Sequence, residues 1–167
     1  EAAYGLYLSN HSYDYSAGWR GQRWYGDTTK SFRESIFFGA YFYAATWDSI
    51  AYQAPALLMV KAAGNHRAHK APAQGDTFYF NDSSTPQVYD TTDVRRSPED
   101  DGGPTGYDCI SGRGNAKNIL TVGDVAAVTN YQDPADVQVS PKSSFGPTDD
   151  GRIKPDLVAN GTGVLSC

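Results

Sequence analysis

An apolar run that ends in small residues, a glycine and an amide sets the first limit on this chain: Leu57-Leu58-Met59-Val60-Lys61-Ala62-Ala63-Gly64-Asn65. The run is short, follows a proline and includes β-branched Val60, so it predicts a strand buried on both faces rather than a helix. At its end Gly64 permits a sharp turn, and Asn65 then presents side-chain N–H donors at the mouth of a sheet. Ligands of open parallel sheets bind at the carboxyl ends of strands, which makes this junction the first place to look for a site. Taken alone, Ala62-Ala63-Gly64-Asn65 reads as an ordinary strand-to-loop turn.

The neighbours of such a strand are sought in the same way. Tyr4 to Leu8 predicts a first strand that ends at Ser9-Asn10-His11-Ser12 and lies parallel to the Leu57 run. Tyr13 to Thr29 holds Gly18, Gly21 and Gly26 without periodicity, so it reads as a long surface loop whose Trp19 and Trp24 fold back as a satellite cluster. Phe32, Ile36, Phe37, Ala40, Tyr41 and Ala44 recur at helical spacing, weakened by Gly39. Thr46 and Asp48 are read as capping a further turn, Trp47 to Tyr52, that stops at Pro55. Strand, excursion, helix and strand together predict a right-handed crossover.

His66 to Ile110 is polar and broken by prolines and glycines, and no core is expected to pass through it beyond a short Thr77 to Phe80 segment. Ile119 to Val125, bounded by the Gly114-Asn115 turn, is the third strand candidate. Ser143 to Pro147 begins a loop and Asp149-Asp150-Gly151 a turn. Lys154 to Ala159 predicts a short buried strand, with Val164-Leu165 as one more. The order of elements is that of an α/β domain.

Composition excludes some functions. A formal charge of -5 and the lack of a Lys/Arg cluster argue against a nucleic-acid partner; Arg95-Arg96, Arg20 and Arg23 read as solvated surface. No apolar stretch approaches the roughly 18 residues of a membrane span, and Glu1-Ala2-Ala3 lacks a signal-peptide pattern, so no membrane partner is expected. Cys109 and Cys167 lack metal-ligand spacing, and both a disulfide and two thiols stay open.

Isolated polar groups carry little chemistry. His66 and His69 have no third ligand in pattern, His11 reads as a polar loop histidine, and Glu99-Asp100-Asp101 as a solvated acidic loop without the spacing of a calcium site. The tyrosines, with Trp19, Trp24 and Trp47, also suit a stacking surface for sugars.

Taken together and in order, several blocks resemble the subtilisin-like serine proteases, or subtilases. Val60 to Asn65 looks like the segment ending in the family's oxyanion-hole asparagine. Asn118 to Val125 is similar to its next strand, where a Val-Gly-Ala-Val run is usual. Ser143 to Ala159 resembles the approach to the catalytic serine, and Tyr7 to Tyr13 the strand leading into the substrate-binding segment. The resemblance implies part of a three-layer subtilisin-like α/β fold with a mostly parallel sheet. It gives Asn65 the oxyanion role, and Ser12, Tyr13 and Asp14 opposite Ala62, Ala63 and Gly64 the walls of a substrate cleft. Asp14 stands where the family usually has glycine and is expected to crowd or charge that cleft; Asn160 replaces a customary proline.

The family's catalytic aspartate and histidine blocks should precede Tyr4 and its Gly-Thr-Ser-Met block should follow Cys167, so neither His11 nor Ser166 inherits a role. The expectation is the middle of a catalytic domain over residues 1–167, inactive alone. Its expected partners are a peptide or protein substrate and the remaining segments of the same protease, and its setting is secreted or extracytoplasmic. No cofactor is implied with certainty, and room is left for structural calcium. A non-catalytic peptide-binding module and, more weakly, a carbohydrate-binding domain are the alternatives. Unmet strand edges predict that the isolated chain associates or rearranges.

Overall fold

The computed structural model describes residues 5–14, 18–25, 32–92, 109–110, 112–148 and 150–164, with backbone alone over 32–42. Its strands are β1 (Leu8–His11), β2 (Trp19–Arg20), β3 (Arg23–Trp24), β4 (Leu58–Ala62), β5 (Thr77–Phe80), β6 (Gln87–Val88), β7 (Leu120–Ala126) and β8 (Leu157–Thr162). The one α-helix among the described residues, α1 (Phe32–Gln53), lies between β3 and β4 in the sequence. Tyr4, Arg95, Arg96, the Glu99 to Asp101 loop, Asp149, Leu165, Ser166, Cys167 and the side chains of Phe32 to Tyr41 lie outside the described residues.

The main sheet has the order β1-β4-β7-β8 and every pair is parallel, so the architecture is α/β as expected. Registers Leu8↔Leu58, Val60↔Leu120 and Val122↔Leu157 put the even-numbered residues of β1, β4 and β7 on the same face as the odd-numbered Leu157 and Ala159 of β8. Met59, Lys61, Thr121 and Val125 are buried on one face, where Ala44, Trp47 and Ala51 of α1 pack with Leu57, Ala116 and Ile119. The other face is open: Leu58 is 45% exposed, so β4 is buried on one side only, not on both.

Three boundaries differ from expectation. First, β1 begins at Leu8 and runs through the polar Ser9, Asn10 and His11, because pairing to β4 satisfies their backbone whatever the side chains are. Second, α1 continues through Trp47 without a break. The Asp48 carboxylate caps no turn; it accepts from the N–H groups of Lys117 and Asn118, each at 2.7 Å, and so fixes the approach to β7. Third, β8 starts at Leu157 and is exposed throughout, as its place at the sheet edge requires; the predicted buried strand from Lys154 contributes only its first residue to the interior. Val164 belongs to no strand.

The stretch around Trp19 is a hairpin, not a loop. Gly21, at φ +61°, turns β2 into β3, and β3, β5 and β6 complete a second sheet of order β2-β3-β5-β6. Trp19, Trp24, Phe78 and Tyr89 form its buried centre, with Trp19 rings 5.4 Å from both Trp24 and Phe78. The aromatic satellite therefore exists, and Phe78 and Tyr89 show that a core does pass through the polar His66 to Ile110 region.

Candidate functional site

The end of β4 is held by the Ser143-Ser144 pair. The Ala63 N–H continues the ladder to the Val122 carbonyl at 2.8 Å, and the chain then turns at Gly64, whose φ of +111° disfavours any residue with a Cβ. Ser144 is fully buried and grips this turn twice: its N–H donates to the Gly64 carbonyl at 3.0 Å, and its Oγ accepts from the His66 N–H at 2.9 Å. A Cβ on Gly64 would stand 3.1 Å from that Oγ. Asn65 lies between the two anchored residues and is exposed. Ser143 does the same for β7, its Oγ accepting from the Asp124 N–H at 2.9 Å. The segment after Ser140 is thus the buttress of both strand ends.

Beside this turn, at the carboxyl ends of the four parallel strands, lies a groove of about 220 Å³. Ser12, Ala62, Ala63, Gly64 and Asn65, five residues from two distant blocks, line it. Asn10, Asp124, Asn160 and Gly161 line it too and were not foreseen. The signal for Asp124 was present: it stands in the middle of the third strand where the related run has alanine.

Tyr13 and Asp14 are not part of the groove lining. Tyr13 is exposed and its hydroxyl is 2.8 Å from His11 Nδ1. The Asp14 side chain is only 14% exposed and does not crowd the cleft. It pairs with Arg113 Nη1 at 2.8 Å and Lys61 Nζ at 3.6 Å, and accepts from the Arg113 N–H at 3.1 Å. Gly112 makes room for it, since a Cβ there would meet its carboxylate at 2.7 Å. Arg113 in turn lies over the Tyr43 ring. His11 sits in β1, not in a loop, with its ring edge-on to Trp47 at 4.7 Å, on the helix side of the sheet.

Burial lowers the Lys61 pKa, an effect that Asp14 opposes and Arg113 reinforces. His66 is also held below its ordinary value, first by burial and then by His69, whose ring centroid is 5.3 Å away. Among the described residues no group of three His, Cys, Asp or Glu side chains could hold a metal ion. Cys109 is buried, with its Sγ 3.5 Å from the Phe145 carbonyl. Trp19, Trp24 and Trp47 are all in cores, which removes their ring faces from any sugar-stacking surface. Among the described residues no helix is long and apolar enough to cross a membrane.

A sequence model of the subtilase family, peptidase S8, matches residues 13–167. No curated protein and no solved structure matches the chain.

Proposed function

Since the chain belongs to the subtilase family, we propose that it supplies the oxyanion side and the substrate cleft of a serine endopeptidase. The observation that carries this reading is Asn65, exposed at the mouth of the groove on a turn anchored at both sides by buried Ser144. Attack on a peptide carbonyl moves negative charge onto its oxygen, and an amide N–H already fixed in place stabilises that charge without reorganising. Such a donor contributes about 3 to 4 kcal/mol to the transition state.

Substrate backbone would add to the sheet as an extended strand at the outer edge of β1, with Ser12 on one side of the reacting bond and Ala62 to Gly64 on the other. The small side chains of Ala62 and Ala63 leave the space open. The nucleophile and its base belong, on this reading, to flanking segments of the same protease, of whose catalytic domain residues 1–167 form the middle. Family membership also supports a secreted setting.

The test is Asn65→Ala in the protein expressed from its whole reading frame, assayed on an unstructured protein substrate. We expect kcat to fall by about a hundred- to a thousandfold with KM little changed. A fall of less than about threefold removes the oxyanion role. A whole protein that binds peptides but hydrolyses none would instead be a peptide-binding module.

A further inference from the structure

His66 and His69 close a single turn. The His69 N–H donates to the His66 carbonyl at 2.8 Å, and the His66 N–H is itself held by Ser144 Oγ at 2.9 Å. The two rings are neighbours, with centroids 5.3 Å apart and planes 53° to one another. In both rings Nδ1 is shut off from solvent, and neither Nδ1 has a hydrogen-bond partner among the described residues. A buried polar atom left unmatched is costly, and two of the same kind in one turn point to a partner they share.

The spacing fits a metal ion. One bonded to two imidazole nitrogens at about 2.0 to 2.1 Å and a tetrahedral angle stands about 3.2 Å from each ring centre, which sets the centres about 5 Å apart. Ligand chemistry then narrows the choice. Imidazole suits zinc, copper and nickel, whereas calcium and magnesium require a shell of oxygens. Asp14, the carboxylate whose charge reaches His66, is already paired with Arg113 at 2.8 Å. Burial and then His69 hold His66 below its ordinary pKa, with Arg20 and Lys61 adding to the effect and Asp14 opposing it, so the ring is neutral and its lone pair available near pH 7. Arg20 and Lys61 also repel a cation, which limits the affinity. Among the described residues no third His, Cys, Asp or Glu completes the set, so water fills the remaining positions.

We propose that His66 and His69 chelate a transition-metal ion of the zinc, copper and nickel class through their two Nδ1 atoms, directly after Asn65. The site needs only the turn, and holds whether or not Asn65 stabilises an oxyanion.

The test is zinc chloride titrated by calorimetry into the protein expressed from its whole reading frame, and into its His66→Asn and His69→Asn variants. Two ligands in one turn make the second contact intramolecular, so each variant should lose at least about tenfold in zinc affinity. Copper should bind the wild type more tightly than zinc, and calcium chloride should not compete. Zinc affinity should weaken as the pH falls below about 6.5, where the rings take up protons. Should a variant fail to fold, NMR of the wild type with labelled ring nitrogens decides the matter, since zinc should shift Nδ1 of both histidines. A loss in one variant alone means a single imidazole and overturns the chelate. Equal zinc affinity in all three proteins, calcium competing for the site, or a zinc shift at Nε2 in place of Nδ1 overturns it as well.

Discussion

The two faces of the parallel sheet are made from alternate residues of the same four strands and have opposite characters. On the packed face Met59, Lys61, Thr121 and Val125 are buried against α1 and the loops around it, and the ionic contacts Lys61–Asp14 and Lys154–Asp156 lie on that side. On the other face Leu8 is 63% exposed and Leu58 45%, and the groove opens between Val60, Ala62, Val122 and Asp124. A strand period of two lets a single run of sequence hold the fold with one set of residues and present a site with the other. The effect of a substitution should therefore divide by parity.

The largest effect is expected at Trp47. It packs among Ala44, Ala51, Met59 and Ile119 and carries the edge contact to His11, so Trp47→Ala should cost about 3 to 5 kcal/mol in urea denaturation. A loss below about 1 kcal/mol would mean that α1 does not secure the packed face. Lys154→Met comes next. The buried ammonium donates to Asp156 at 2.6 Å and to the Ile119 carbonyl and Thr121 Oγ1, each at 3.3 Å. Asp156 is one-third exposed, so water relieves part of the loss and about 2 to 3 kcal/mol is expected, read as a lower midpoint at constant m.

These buried partners also mark where the sequence was legible. The apolar runs of β4 and β7 and the spacing along α1 were visible because a period of two or of 3.6 is a local signal. Asn65 was visible because it ends such a run. The environment of Asp14 was not, since Arg113 is 99 residues away and only the folded chain brings them together. The Trp19–Trp24 hairpin was hidden for a related reason: strands of two residues have no period, and their partners Phe78 and Tyr89 lie in a polar stretch. Ser144 was read as part of a loop, and its role as a clamp depends on where β4 ends in space.

The clamp ranks third. Gly64→Ala introduces a side chain at φ +111° and 3.1 Å from Ser144 Oγ, which should cost about 1 to 3 kcal/mol of stability and displace Asn65. In the whole protease kcat should fall with it. Unchanged kcat would separate the turn from the chemistry. A smaller effect is expected from pH at His66, the next residue but one. Its folded pKa lies below 6.5, so at pH values just under 6.5 the unfolded chain binds more protons and stability falls as pH falls. His69, Arg20 and Lys61 favour the neutral ring and Asp14 opposes them. Asp90 and Asp136, whose depressed carboxyls start from 3.8, act only in more acidic solution. Melting temperature followed between about pH 7 and 5 should decline, and His66→Asn should flatten that decline; an equally steep fall in the variant would assign it to other groups.

The smallest effect is the sharpest test of the comparison, because it is a large chemical change at a site predicted not to respond. Leu58 is the immediate neighbour of Met59 and pairs with Leu8, yet its side chain is on the open face. Leu58→Lys replaces an apolar group by a charged one in the middle of a parallel strand, which would be severe if the sheet were covered on both sides. With 45% exposure, the long lysine stem can lie along Leu8 and keep its ammonium in water, so the expected change is within about 0.5 kcal/mol of zero. Met59→Lys, one residue along, should by contrast cost several kcal/mol, about the burden of an unpaired charge in a core. If Leu58→Lys is as damaging as Met59→Lys in the whole protein but harmless in the 167-residue chain, another segment covers the open face there, and the groove is narrower in the assembled enzyme than in this chain.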